Sequence, residues 1–221
     1  LFNPKLKNKP TVVLSNNDGC IIARSQEIKD MGVKMGQPLF KLDENIKGKM
    51  SKFSSNYVLY GDISDRISNI LKRFTPKLEI YSIDESFMDL SHVSDENLNE
   101  YMLQIKSEIF RLVGIPVSIG VGPNKTIAKL MNYLSKNNPN YSGICSYFDG
   151  VNIDDIEIDE VWGIGNRWKK KLNNLGVEYI SQFKELQPYQ VKKLLTVVGL
   201  RTWMELNGDL VSPLQLGFKK P

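Results

Sequence analysis

The run Tyr81-Ser82-Ile83-Asp84-Glu85-Ser86-Phe87-Met88-Asp89-Leu90 sets two adjacent carboxylates, Asp84 and Glu85, inside an otherwise hydrophobic stretch. Charge among such side chains is costly unless something pairs with it, and a bound cation is a natural partner. Oxygen-only ligands suit Mg²⁺, which commonly takes one or two carboxylates, several waters and substrate phosphates. Two such ions can activate an attacking hydroxyl and stabilise a leaving pyrophosphate. The plainer reading is an Asp-Glu pair at a hairpin tip facing water. Acidic pairs are common in turns, and spacing alone favours that plainer reading.

A second group of residues is basic. Gly163-Ile164-Gly165 is followed by Arg167, Lys169, Lys170 and Lys171. Glycines allow close backbone approach, and N–H groups at the start of a following helix can receive a phosphate. Ile164, Trp168, Leu172 and Leu175 would form the packed face, leaving the lysines outward. Alone, this pattern is weak. Gly120-Val121-Gly122-Pro123-Asn124-Lys125-Thr126 has the Lys-Thr of a phosphate-binding loop but lacks the glycines such a loop needs, so nucleotide hydrolysis on that loop is excluded. His92 is the only histidine and reads as a surface residue, which argues against nucleophilic hydrolysis.

Composition sets the frame for these residues. The 221-residue chain is 41% hydrophobic and 24% charged, ordinary for a globular protein. No apolar run is long enough to cross a bilayer, so no membrane partner is expected. Cys20 and Cys145 are far apart and without metal-ligand spacing, which fits free thiols in a reducing cytoplasm. Net charge is a mild +4, but its distribution shifts near residue 152. An acidic stretch from Asp154 to Glu160 gives way to a lysine-rich one, suggesting a boundary there.

These residues need elements to hold them. Thr11–Ser15 reads as a buried strand, Asn16-Asn17-Asp18-Gly19 as a turn, and Cys20–Ala23 as the returning strand. Ser25 can cap a short helix ending before Gly32. Helical spacing predicts helices over 57–74 and 97–113, and Asn124 can cap a third running to about Lys136. Strands are expected at 78–83 and 86–90, flanking Asp84-Glu85, and at 115–121. From Asp159 onward the chain reads as helical. The expected class is α+β, with helices covering a small sheet.

YSIDESF closely resembles the YSIDEAF signature of Y-family, lesion-bypass DNA polymerases. SNNDGCIIARSQEIKDMGVKMGQP is similar to the fingers segment of UmuC-like (ImpB/MucB/SamB type) members. SSNYVLYGDIS, GVGPNKTIAKLMNYLSK and VWGIGNRWKKKLNNLGV resemble further family segments, in the same order along the chain. The resemblance implies a right-hand polymerase arrangement with a small palm sheet: fingers over 1–55, palm over 56–151 and a helical thumb over 152–221. It implies that Asp84 and Glu85 are catalytic ligands of two Mg²⁺ ions, with Glu85 also near the primer 3′ hydroxyl. Lys129 matches the family lysine that contacts the incoming triphosphate. Lys29 stands where many relatives carry a triphosphate-binding arginine, and Gln26 where they carry a tyrosine. Gly163, Gly165, Arg167, Lys169 and Lys170 fall where the thumb's helix-hairpin-helix turn binds DNA.

By the same resemblance the substrates would be primer–template DNA and dNTP. A sliding clamp and accessory proteins of the SOS response would bind outside these residues. Family members begin with a strand carrying another metal-binding Asp and an aromatic gate against ribonucleotides. Leu1-Phe2-Asn3-Pro4 resembles the segment just after it, and no little-finger domain is seen after Pro213. The 221 residues are therefore expected to be inactive or weakly active as they stand. A non-catalytic DNA-binding homologue is the alternative reading.

Overall fold

The computed structural model describes residues 3–216; Leu1 and Phe2 of the opening run, and the last five residues of the expected thumb, lie outside them. The chain divides into two compact units, Leu1–Ser64 and Asp65–Pro221.

In the first unit, β1 (Thr11–Leu14) pairs antiparallel with β2 (Ile21–Arg24). The reversal is made at Asn16-Asn17-Asp18-Gly19, where Asp18 takes φ 52° and the Asn17 carboxamide oxygen accepts from Gly19 N at 3.3 Å. Short polar side chains tolerate this left-handed conformation, which is why the turn was readable from sequence. Helix α1 (Gln26–Asp30) follows Ser25, but Ser25 does not cap it. Its Oγ instead accepts from Thr11 N at 3.1 Å, tying the helix entry to β1. Helix α2 (Glu44–Lys49) is capped by Asp43, whose carboxylate accepts from Asn45 N. Strand β3 (Ser51–Ser54) then runs parallel to β1, completing the order β2-β1-β3. Val12, Leu14, Ile21, Ile28, Val33 and Leu42 form this unit's core.

The division falls within α3 (Tyr57–Leu71), which ends three residues earlier than its periodicity suggests. The second unit holds β4 (Leu78–Ile80) and β5 (Ser86–Met88), an antiparallel pair shorter than expected on both sides. Helix α4 (Asp95–Val113) buries Leu98, Met102, Ile105 and Ile109 and stops at Gly114, with φ 75°. Strand β6 (Ile119–Val121) pairs in parallel with β7 (Ile144–Ser146), joined by α5 (Lys125–Asn137). Four of the seven residues foreseen as strand at 115–121 therefore remain irregular. Helices α6 (Asn166–Asn173), α7 (Ile180–Lys184) and α8 (Pro188–Leu206) complete the chain, with α8 broken at Thr196, where φ is 68°. One core runs from Ile127 and Leu130 on α5 through Leu172 and Phe183 to Leu206. Packing is thus continuous across residue 152.

Candidate active site

The loop between β4 and β5 presents the two carboxylates. Tyr81 and Ser82 each donate their N–H to the Glu85 carbonyl at 3.0 Å, so the chain reverses tightly. Ser82 Oγ donates to Asp84 Oδ1 at 2.7 Å, and Asp84 is otherwise exposed. Glu85 is half-buried and accepts from Lys129 Nζ at 3.0 Å. At the hairpin's far end, Asp89 accepts from Lys77 Nζ and from Ser91 N.

Lys129 comes from α5, and the sequence before it explains its placement. Asn124 caps the helix: its carboxamide oxygen accepts from Ile127 N, and its amide donates to the carbonyls of Glu205 and Asp209. Gly120 and Gly122 let the helix lie against β6; a Cβ at Gly120 would stand 2.1 Å from Asn132 N. Lys125 and Lys129, one turn apart, therefore share the face toward the β4–β5 hairpin. Lys125 is nearly inaccessible and paired with Glu79, itself as deeply buried. Lys129 keeps its head partly exposed.

Asp84 and Glu85 fit a divalent cation by their chemistry. They offer carboxylate oxygens from two adjacent residues. A hard cation needing only one or two carboxylates, with water and phosphate filling the remainder, matches this set. Lys129 pairs with Glu85 at 3.0 Å.

The other expected residues are placed as follows. Lys29 and Gln26 lie exposed on α1 in the first unit, with the Gln26 amide donating to Asp30 Oδ1 at 2.8 Å. Gly163 takes φ 90°, and α6 starts directly after Gly165 with no side chain capping its N–H groups. Ile164 and Leu172 are buried as foreseen, whereas Leu175 is 61% exposed and leaves the packed face. Arg167 and Lys170 are exposed. Lys169 turns back to Asp159 at 2.6 Å and Glu157 at 3.6 Å, and the Asp159 hydrogen bond raises its pKa.

Three participants escaped the sequence reading. Glu79 and Lys125 form the buried pair, and Trp162 packs against Tyr81 and Phe87. Glu79, between Leu78 and Ile80, carried a signal, since a charge in an apolar strand calls for a partner. Lys125 and Lys129 at helical spacing carried another. Nothing near Trp162 indicated where its indole would lie.

The chain is similar to known proteins in sequence and in fold. Residues 1–133 match the model of the impB/mucB/samB family. Protein ImpB of Salmonella typhimurium is 37% identical over 95% of this chain and 51% of its own length. Protein UmuC of S. typhimurium strain LT2 is 38% identical over 95% of this chain and 51% of its own. The chain thus spans about half the length of these curated relatives. DNA polymerase IV of Picrophilus torridus is 31% identical over 87% of this chain. Among solved structures, the insertion ternary complex of Dbh DNA polymerase superposes with a TM-score of 0.82 at 28% identity, covering 97% of this chain and 64% of that one. DinB from Sulfolobus solfataricus gives a TM-score of 0.81 with the same coverage. The α+β right-hand fold of these polymerases is the fold of this chain, and with its family model matched over 133 of 221 residues, the chain belongs to the impB/mucB/samB family.

Proposed function

We propose that these residues form the fingers (1–55), palm (56–151) and thumb (152–221) of a cytoplasmic, template-directed DNA polymerase that copies past damaged bases. The observation that carries this reading is the Asp84-Glu85 loop, with Lys129 3.0 Å from Glu85, set in a fold shared with DNA polymerases. Asp84 and Glu85 would hold Mg²⁺. Once bound, the metal would supply positive charge at the phosphates and ease loss of the primer hydroxyl's proton. Lys129 exchanges the Glu85 carboxylate for the triphosphate of an incoming dNTP, a change its flexible stem permits. Lys29 adds a point charge and Gln26 an amide, in place of the bidentate fork an arginine would give. The N–H groups following Gly163 and Gly165, with Arg167, Lys169 and Lys170, take phosphates of the primer–template duplex. Such contacts are sequence-independent and weaken with salt. Because Lys169 is already shared with Asp159, Arg167 and Lys170 carry more of that salt dependence.

Primer extension with Mg²⁺, by the protein in the length its gene encodes, tests the reading on intact and abasic templates. Asp84→Ala is expected to reduce extension by about a hundredfold or more. Duplex binding without extension by the whole protein would instead identify a non-catalytic DNA-binding homologue. Extension that halts at every lesion tried would refute the bypass role.

A further inference from the structure

Trp162 stands one residue before the Gly163-Ile164-Gly165 turn, yet its indole lies against the hairpin that carries Asp84 and Glu85. Its ring centroid is 5.4 Å from Tyr81, edge to face at 88°, and 5.9 Å from Phe87. Tyr81 and Phe87 are 5.6 Å apart, so the three rings close a triangle. The Lys129 ammonium lies 4.9 Å from the Tyr81 centroid and 5.1 Å from that of Trp162, within the range where an aromatic face attracts a cation. Lys125, one turn earlier, sits 5.1 Å from the Phe87 ring, but its charge is committed to buried Glu79. Lys129 is the lysine of the two that can be reassigned.

Its neighbours differ in kind. The Glu85 carboxylate is charged and would be surrendered when a cation and a triphosphate arrive. The Trp162 and Tyr81 faces are neutral, and they pack edge to face on each other. A lysine freed from its carboxylate would otherwise sample many rotamers before meeting a phosphate, at a cost in entropy. We propose that Trp162 is a positioning residue for the incoming nucleoside triphosphate: its indole face keeps the Lys129 ammonium at the hairpin that carries Glu85 after Glu85 lets go. Among the aromatic side chains, indole attracts cations most strongly, which suits it to this position. The inference rests on the reading that Lys129 takes the triphosphate.

Equilibrium binding of a non-hydrolysable dNTP analogue, to the full-length protein on primer–template DNA with Mg²⁺, tests it. Trp162→Leu keeps apolar bulk and removes the ring. It is expected to weaken analogue binding about fivefold, whereas Trp162→Phe stays within about twofold of the parent protein. Duplex affinity should hold in both, and binding is compared at a temperature where thermal melts show both variants folded, since Trp162→Leu also removes ring contacts to Tyr81 and Phe87. In a Lys129→Ala background, Trp162→Leu should add nothing, because the effect travels through that ammonium. Three results would overturn the proposal: unchanged binding in Trp162→Leu, equal loss in Trp162→Phe, or a full effect persisting without Lys129. If Lys129→Ala by itself leaves binding intact, the triphosphate role of Lys129 falls, and this proposal with it. If Lys129→Ala weakens binding while Trp162→Leu does not, only the role of Trp162 falls.

Discussion

Asp89 closes the hairpin that carries Asp84 and Glu85, and it does so with a charge. The Lys77 ammonium donates to it at 2.8 Å and Ser91 N at 2.9 Å. These donors, Lys77 foremost, hold the Asp89 carboxyl well below the usual carboxylate range. A depressed folded-state pKa stabilises the fold above the unfolded value of about 4, and the benefit is lost as pH falls through the folded value. Asp89→Asn should therefore cost about 1 kcal/mol at pH 7, with the gap to the parent protein shrinking below about pH 4. Urea midpoints at pH 7 and pH 3 would show this, and an equal gap at both would mean the charge is irrelevant. At the residue scale, Asp84 and Glu85 drew notice because charge interrupts an apolar run, but spacing alone favoured a water-facing turn and only the family resemblance implied a metal site. Trp162 drew none, because its partners Tyr81 and Phe87 lie far back along the chain.

At the scale of elements, caps and periodicity were readable where the determinants are local. Asn124 caps α5 as its side-chain chemistry demands, and α4 ends at a left-handed Gly114. Strand β3 escaped notice, since Ser51-Lys52-Phe53-Ser54 has one large apolar residue and owes its existence to parallel pairing with β1. The break in α8 escaped as well. Thr196 adopts φ 68°, a conformation costly to a β-branched residue, and the nearest glycine, Gly199, stands three residues further on. Strand β6 lies close against α5 at Gly120. A methyl at Gly120 would meet Asn132 N at 2.1 Å and Ala128 O at 2.4 Å, both backbone atoms that cannot swing aside. Gly120→Ala is expected to cost about 1–3 kcal/mol and to displace Lys129 from Glu85. Thermal unfolding would read the first effect and nucleotide affinity the second. A variant as stable as its parent would mean that α5 can retreat without loss.

For the molecule as a whole, the two cysteines report on the two units separately. Cys20 belongs to the first unit and is half-buried; Cys145 is 2% exposed in the second, and burial raises its thiol pKa. The thiolate is the reactive form, so Cys145 is expected to resist alkylation until the second unit opens, while Cys20 reacts earlier. Mass spectrometry along a urea series would resolve the order, and simultaneous labelling would imply that both units open together. Continuity within the second unit owes much to Glu205. That carboxylate is 1% exposed and accepts from Thr126 N, Thr126 Oγ1 and Ser212 N. Placed at the start of α5, it also complements the positive end of that helix. This clasp has a bearing on how such chains can be recombined. Segments grafted between relatives at residue 152 would part Glu205 from Thr126 and Asn124. A donor lacking a carboxylate there would leave Thr126 N and Oγ1 without their acceptor, so matched pairs at 126 and 205 should decide which hybrids fold.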